Sequence, residues 1–181
     1  MRKRRFFGAL IFAVPVVVAA ATFAVAGDGG KSQFKADTLT GYQEVAGPGT
    51  ISTIGSGTFE ASLNGAGDEI SYTLTYGDLE GGAVTQAHIH FGARGFSGGV
   101  IAFLCGGPKP ACPASPATVT GTITAADIVG PTLQGIETGS FDEAVRAIRA
   151  GAVYANVHTT RWPSGEIRGQ VNDSNQRVAP Q

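Results

Sequence analysis

Hydrophobic and polar residues alternate with a period of two along several short stretches of this 181-residue chain. In residues 57–63 and 69–76 every second residue is apolar, and the link between the two stretches, residues 64–68, is rich in glycine. Such alternation is typical of a strand with one face on a core, and a short glycine- and asparagine-rich link joins two strands into a hairpin. The two stretches therefore predict a β-hairpin.

Further strand-like stretches are separated by turns rich in Gly, Pro, Asn and Asp. They are residues 33–45 (the first strand and its exit), 83–91, 100–105, 117–124, 153–160 and 166–171. About seven to nine short strands indicate an all-β fold, either an antiparallel Greek-key β-sandwich or a barrel.

Residues 141–150 alone carry a convincing helical period. Ser140 precedes them as a candidate N-cap, and Glu143 completes the pattern of a capping box. Gly151 follows as a stop signal. The apolar residues share one face, which we expect to pack against the sheet: Phe141, Val145 and Ile148.

The first 26 residues have the organisation of a secretory signal peptide. A basic segment, Arg2 to Arg5, precedes an apolar run that ends in the small-x-small pattern of residues 24–26. Left uncut, a run of about 20 residues is long enough to anchor the chain in a membrane. Pro15 and the cleavage pattern favour removal, so we expect an exported protein, secreted or in the cell envelope.

The expected organisation is a single domain with short flanking segments. Residues 1–26 are the signal peptide or anchor, 27–32 a leader, 33–172 the β domain and 173–181 a flexible tail. Of 13 Lys and Arg, four lie in the signal segment, so nine oppose 14 Asp and Glu and the net charge becomes −5. That charge argues against nucleic acid or an anionic membrane as partner, and leaves an unknown protein or envelope component.

Cys105 and Cys112 are the only cysteines and bracket a loop with two glycines and two prolines. In an exported protein, so close a pair predicts a disulfide. A thiolate metal site is disfavoured, because the spacing matches no common ligand pattern.

All three histidines lie in strand-like stretches. Residues i and i+2 of a strand point to the same face, so His88 and His90 share a face with Gln86. The same parity puts further polar residues on the faces of two later strands: Tyr154, Asn156, His158 and Thr160, then Glu166, Arg168 and Gln170.

Two interpretations of this polar face remain open. One face of an antiparallel sheet commonly meets water, and its histidines then only hydrogen-bond to polar neighbours. Alternatively, three imidazoles form a mononuclear site for one copper or zinc ion with an open coordination position. The ligands are then His88, His90 and His158, supported by Asn156, Arg168 and Glu166, the last of which is also a candidate fourth ligand.

Other chemistries lack their motifs. There is no Gly-x-Ser-x-Gly nucleophile motif, and the glycine-rich residues 92–99 do not precede a helix, as a phosphate loop requires. A blue-copper site is excluded because the only methionine is Met1. No catalytic residue is assigned, and redox or hydrolytic chemistry at the metal is the one enzymatic alternative.

Four segments, in order, resemble the CHRD domain, the repeat first named in chordin. They are LTGYQEV (39–45), AHIHFG (87–92), YANVHT (154–159) and PSGEIRGQV (163–171). The resemblance extends from about Phe34 to Val171 and departs from the family at Ala46 and Gly47, where prolines are frequent. In chordin these repeats belong to an extracellular antagonist of growth-factor signalling. The resemblance therefore implies a bacterial-type single-domain exported member, acting as a binding or structural module. The copper or zinc protein is the alternative.

Overall fold

The computed structural model describes residues 31–45 and 47–172. The predicted signal peptide and tail lie outside these residues. Within them, eight strands and one α-helix form in this order: β1 Gln33–Thr40, β2 Ser56–Leu63, β3 Ile70–Gly77, β4 Val84–Phe91, β5 Gly99–Cys105, β6 Ala117–Ile123, α1 Phe141–Arg149, β7 Val153–Thr159 and β8 Ile167–Val171.

All strands pair antiparallel in one sheet with the order β5-β4-β7-β8-β1-β2-β3-β6. The two edge strands, β5 and β6, contact each other, so the sheet is a nearly closed barrel. The hydroxyl of Tyr72 on β3 donates to the carbonyl of Leu104 on β5 at 2.7 Å. The all-β prediction is confirmed, in its barrel form. No described helix has the length and apolar character needed to span a bilayer.

The hairpin predicted from the alternation is β2–β3. Phe59 opposes Leu74 and Ala61 opposes Tyr72 in the register, and all four side chains are buried. In the connecting turn, the side-chain oxygen of Asn64 accepts hydrogen bonds from the backbone N–H groups of residues 67 and 68, at 2.8 and 3.1 Å. The turn thus satisfies its own backbone donors, as Asn-initiated turns do.

Helix α1 packs on the barrel through the predicted face, but its expected cap is not formed. The Ser140 side chain makes no capping hydrogen bond, since its backbone (φ −77°, ψ 71°) lacks the extended conformation of an N-cap. Glu143 instead contacts Arg146 at 3.1 Å. A capping box is present instead at a separate short 3-10 helix, Ala125–Asp127, where Asp127 accepts from the backbone N–H and hydroxyl of Thr124 at 2.9 and 3.0 Å.

The predicted disulfide joins Cys105, at the end of β5, to Cys112 in the following loop. Replacing both cysteines with alanine is expected to cost about 2.5 kcal/mol of unfolding free energy, because the short cross-linked loop loses its restraint on the unfolded chain. Urea unfolding of the oxidised, reduced and Cys105→Ala/Cys112→Ala proteins measures this cost. The reduced protein keeps both side chains and isolates the cross-link, so equal urea midpoints for the oxidised and reduced proteins would contradict the prediction.

Candidate metal centre

The three histidines meet on one side of the pair β4–β7. Residues 88 and 90 of β4 share a face, as the strand period predicts, and β7 lies beside them with His88 opposite Asn156 and His90 opposite Tyr154. One ring nitrogen from each of His88, His90 and His158 lies within 4.8 Å of the other two. The tertiary structure therefore brings together two sequence segments that are about seventy residues apart.

This polar face does not meet water where it carries the histidines. His88, His90 and His158 are only 3%, 8% and 6% exposed, and β7 and β8 are buried along their whole length. Residues 92–98 and the turn at Pro163 hydrogen-bond to the face and cover it. The interpretation of a solvated sheet face is therefore wrong here, because loops from other parts of the chain fold over it.

Backbone carbonyls orient two of the imidazoles. The Nδ1 atom of His90 lies 3.0 Å from the carbonyl oxygen of Gly98, and that of His158 lies 2.9 Å from the carbonyl oxygen of Pro163. A carbonyl oxygen only accepts, so each Nδ1 carries the proton and each Nε2 keeps its lone pair. Metal-binding histidines are held in this way, with the second ring nitrogen bonded to a backbone carbonyl.

The third imidazole, that of His88, hydrogen-bonds to the imidazole of His158. Nδ1 of His88 lies 3.0 Å from Nε2 of His158 and must donate to it, since that nitrogen carries a lone pair. The remaining lone pairs, on Nε2 of His88 and Nε2 of His90, are buried without a hydrogen-bond partner among the described residues. Unpartnered buried acceptors are costly, at roughly 1–3 kcal/mol each, and such an arrangement favours a cation.

Burial keeps all three imidazoles neutral at physiological pH. It lowers the pKa of His88 to about 3, with a further contribution from the neighbouring histidines. It lowers the pKa of His90 to about 4, although the Gly98 carbonyl partly opposes the shift. Burial also lowers the pKa of His158. Neutral imidazole is the form that binds metals, so the site is in the ligand state without losing a proton first.

Arg168 and Gln170 hold the covering loop in place. The guanidinium of Arg168 lies over the ring of Tyr154, 3.4 Å from its centroid, and donates to the carbonyl of Ala93 at 3.2 Å. Gln170 donates to the carbonyl of Gly92 at 2.9 Å. Tyr154 in turn stacks on His90, with ring centroids 4.7 Å apart and planes 2° from parallel. Arg168 therefore supports the site through the loop and the Tyr154 ring.

The structure does not bring Glu166 to the imidazoles. Its carboxylate is fully buried and accepts from the hydroxyl of Thr53 at 2.9 Å and from the backbone N–H groups of Glu80 and Gly81 at 2.7 and 3.0 Å. These contacts join three segments that are distant in the sequence, namely those that contain Thr53, Glu80 and Glu166 itself. No contact of this carboxylate with a histidine, among the described residues, supports its predicted role as a support or fourth ligand of the metal.

Two residues of this centre were not assigned from the sequence. Glu44 is 2% exposed and accepts a hydrogen bond from the amide of Asn156 at 3.0 Å. Burial raises the pKa of Glu44 to about 7, against the opposing effects of Asn156 and Arg168. Its signal in the sequence was its place in the segment LTGYQEV, one of the four that carry the family resemblance. The other, Tyr154, was placed on the polar face by parity but given no role.

Comparison with known proteins gives one match. A family model described as CHRD domain matches residues 36–171, which is most of the chain. Neither curated proteins nor solved structures gave a match. The matched range includes all three histidines, Glu44 and both cysteines.

Proposed function

The chain belongs to the CHRD domain family, and we propose that this domain is an exported module that binds one copper or zinc ion. The proposed ligands are His88, His90 and His158. The observation that carries the proposal is the orientation of the imidazoles: two are held at Nδ1 by backbone carbonyls, and three neutral rings converge in a buried site.

The separations are close to those a metal requires. Two nitrogens bound tetrahedrally to one zinc ion at 2.0–2.1 Å lie about 3.4 Å apart. One ring nitrogen of each histidine lies within 4.8 Å of the other two. Small side-chain rotations bridge the difference. Metal binding replaces the hydrogen bond between His88 and His158, which frees the Nε2 lone pair of His158 for the ion. The lone pair of neutral His88 is on Nε2 and has no donor to give up among the described residues.

Export is supported by the N-terminal sequence and by the disulfide. The basic segment followed by an apolar run is typical of a signal peptide, and the bond between Cys105 and Cys112 suits an oxidising compartment. On the same basis we propose that residues 1–26 are the signal peptide, 27–32 a leader, 33–172 the β domain and 173–181 a flexible tail. The negative charge of the exported chain suits a protein or envelope partner better than nucleic acid.

Metal titration of the purified, chelator-treated protein tests the proposal. Zn²⁺ or Cu²⁺ at 100 times its dissociation constant is expected to add about 2.7 kcal/mol to the unfolding free energy, because the ion binds the folded state. This raises Tm by about 5–10 °C for a domain of this size.

The matched variants are His88→Ala/His90→Ala and Gln86→Ala. Gln86 lies on the same strand and face as the histidines, opposite His158, and serves as the control. The double histidine variant is expected to lose both the bound metal and the gain in Tm, whereas Gln86→Ala keeps them. Equal metal content in wild type and the double variant would reject the site.

A further inference from the structure

Asn156 lies beside the three histidines on the same face of the pair β4–β7. In the register it lies directly opposite His88, and it precedes His158 by two residues on the same face of β7. His90 is its diagonal neighbour across the strand pair, since His90 opposes Tyr154. Opposed and diagonal side chains on one face of a sheet lie within reach of each other. Asn156 is 2% exposed, so its amide must find partners inside the protein.

Glu44 sets the direction of the Asn156 amide. Its Oε1 atom accepts from Nδ2 of Asn156 at 3.0 Å, which leaves the amide oxygen on the other side of the Asn156 side chain. Gly165 makes room for this contact, because a Cβ at its position would collide with both the Asn156 amide nitrogen and the Glu44 carboxylate. The amide oxygen therefore points away from Glu44.

The Asn156 oxygen has no hydrogen-bond partner among the described residues. It is buried, like the unpartnered Nε2 atoms of His88 and His90. Three buried acceptors without donors thus lie on one face of neighbouring strands.

We infer that Oδ1 of Asn156 is the fourth donor of the metal site and closes its coordination shell. The inference rests on the proposed metal binding by the three histidines. A site with four protein ligands, three nitrogens and one oxygen, is of the structural kind, whereas catalytic zinc sites keep one position for water or substrate. Glu44 is a positioning residue that holds the amide oxygen toward the ion. The oxygen donor favours a divalent ion such as Zn²⁺ over Cu⁺, which prefers sulfur ligands.

Co²⁺ with azide as a competing ligand tests whether the shell is closed. Co²⁺ is titrated into the chelator-treated protein, its visible absorption is recorded, and azide is then added. The wild-type spectrum is expected to stay unchanged, because no coordination position is open to the anion. Asn156→Ala is expected to bind Co²⁺ about 10–100-fold more weakly and to show an azide-dependent spectrum.

Two further variants keep the test decisive if Asn156→Ala does not fold. Glu44→Gln/Asn156→Asp exchanges the amide and the carboxylate, so an oxygen donor is retained; it is expected to bind Co²⁺ and to ignore azide. Thr159→Val is the control, because it removes a buried β7 hydroxyl that makes no hydrogen bond within the described part of the chain.

The outcomes separate the two proposals. Absence of Co²⁺, Zn²⁺ and Cu²⁺ binding in the wild type would reject the three-histidine site itself. Binding with an azide-sensitive wild-type spectrum, or equal Co²⁺ affinity in wild type and Asn156→Ala, would leave that site intact and overturn the closed shell.

Discussion

Acidification of the chelator-treated protein from pH 6.5 to pH 4 is expected to lower its unfolding free energy by about 4 kcal/mol. The cause is the buried cluster of neutral imidazoles. Folding lowers the pKa of His88 from 6.5 to about 3 and that of His90 from 6.5 to about 4. Below pH 6.5 the unfolded chain therefore binds protons that the folded chain does not bind, and the unfolding free energy decreases as the pH is lowered.

The size of this loss in unfolding free energy is the sum of the destabilising histidine contributions and the opposing contribution of Glu44. Each of His88 and His90 contributes about 3 kcal/mol over this window, at about 1.4 kcal/mol per pH unit of displaced titration. His158 acts in the same direction. Glu44 acts in the opposite direction, because its pKa rises from 4.5 to about 7 on folding, so the folded chain binds that proton first. It offsets about 2.5 kcal/mol between pH 6.5 and 4.5.

Urea unfolding with chelator at pH 6.5, 5.5, 4.5 and 4 measures the effect. The wild type is expected to take up about one proton net on unfolding near pH 5, because His88 and His90 together bind about two and Glu44 releases about one; His90→Gln is expected to lower this uptake by about one proton and to flatten the slope of stability against pH. Glu44→Gln removes the opposing group and is expected to steepen the slope. A wild-type stability that stays constant from pH 6.5 to 4.5 would show that the imidazoles do not titrate as the burial requires.

Replacement of Glu166 with leucine is expected to destabilise the domain by about 4 kcal/mol, with or without metal. The carboxylate is fully buried and accepts from Thr53 and from two backbone N–H groups. Leucine has a similar volume but accepts nothing, so the buried N–H of Gly81 and the part-buried N–H of Glu80 are left unpartnered, at roughly 1–3 kcal/mol each. The lost ties between the three loop segments add to this cost.

Unfolding of Glu166→Leu in urea, with chelator and with Zn²⁺, measures the loss. Thr53→Val is the matched control: it removes the hydroxyl that donates to Glu166 and accepts from the N–H of Gly55, but it leaves the carboxylate on its backbone partners, and we expect a smaller cost of about 2 kcal/mol. The metal-dependent gain in Tm should be the same in Glu166→Leu as in the wild type. Loss of that gain would restore Glu166 as part of the metal site.

Local pattern was sufficient for much of the fold. The period of two in residues 57–63 and 69–76 predicts β2 and β3 because successive side chains of any strand alternate between faces. The same rule correctly put His88 and His90 on one face. The cap at Ser140 was predicted from residue type alone and did not form, because the backbone at that residue takes another conformation.

Long-range pairing decided what the centre contains. Glu44 and Asn156 are separated by 112 positions, and Thr53 and Glu166 by 113, so no spacing in the sequence announces either contact. Strand alternation predicted that Glu166 lies on the same face as the histidines. In the structure its carboxylate instead accepts hydrogen bonds from backbone N–H groups of the loop before β4. Strand order then placed β7 beside β4 and brought His158 to His88.

The amino-acid sequence by itself determined the strands, the shared face of His88 and His90, the disulfide and the family. These follow from short-range periodicity, residue type and ordered motifs. Only the tertiary structure decided that the polar face is buried, and that two ring nitrogens and the Asn156 oxygen have no hydrogen-bond partner among the described residues. The physical reason is that the groups which bury this face and hydrogen-bond to it belong to loops distant in the chain. Those loops reach the face only when the whole barrel is packed.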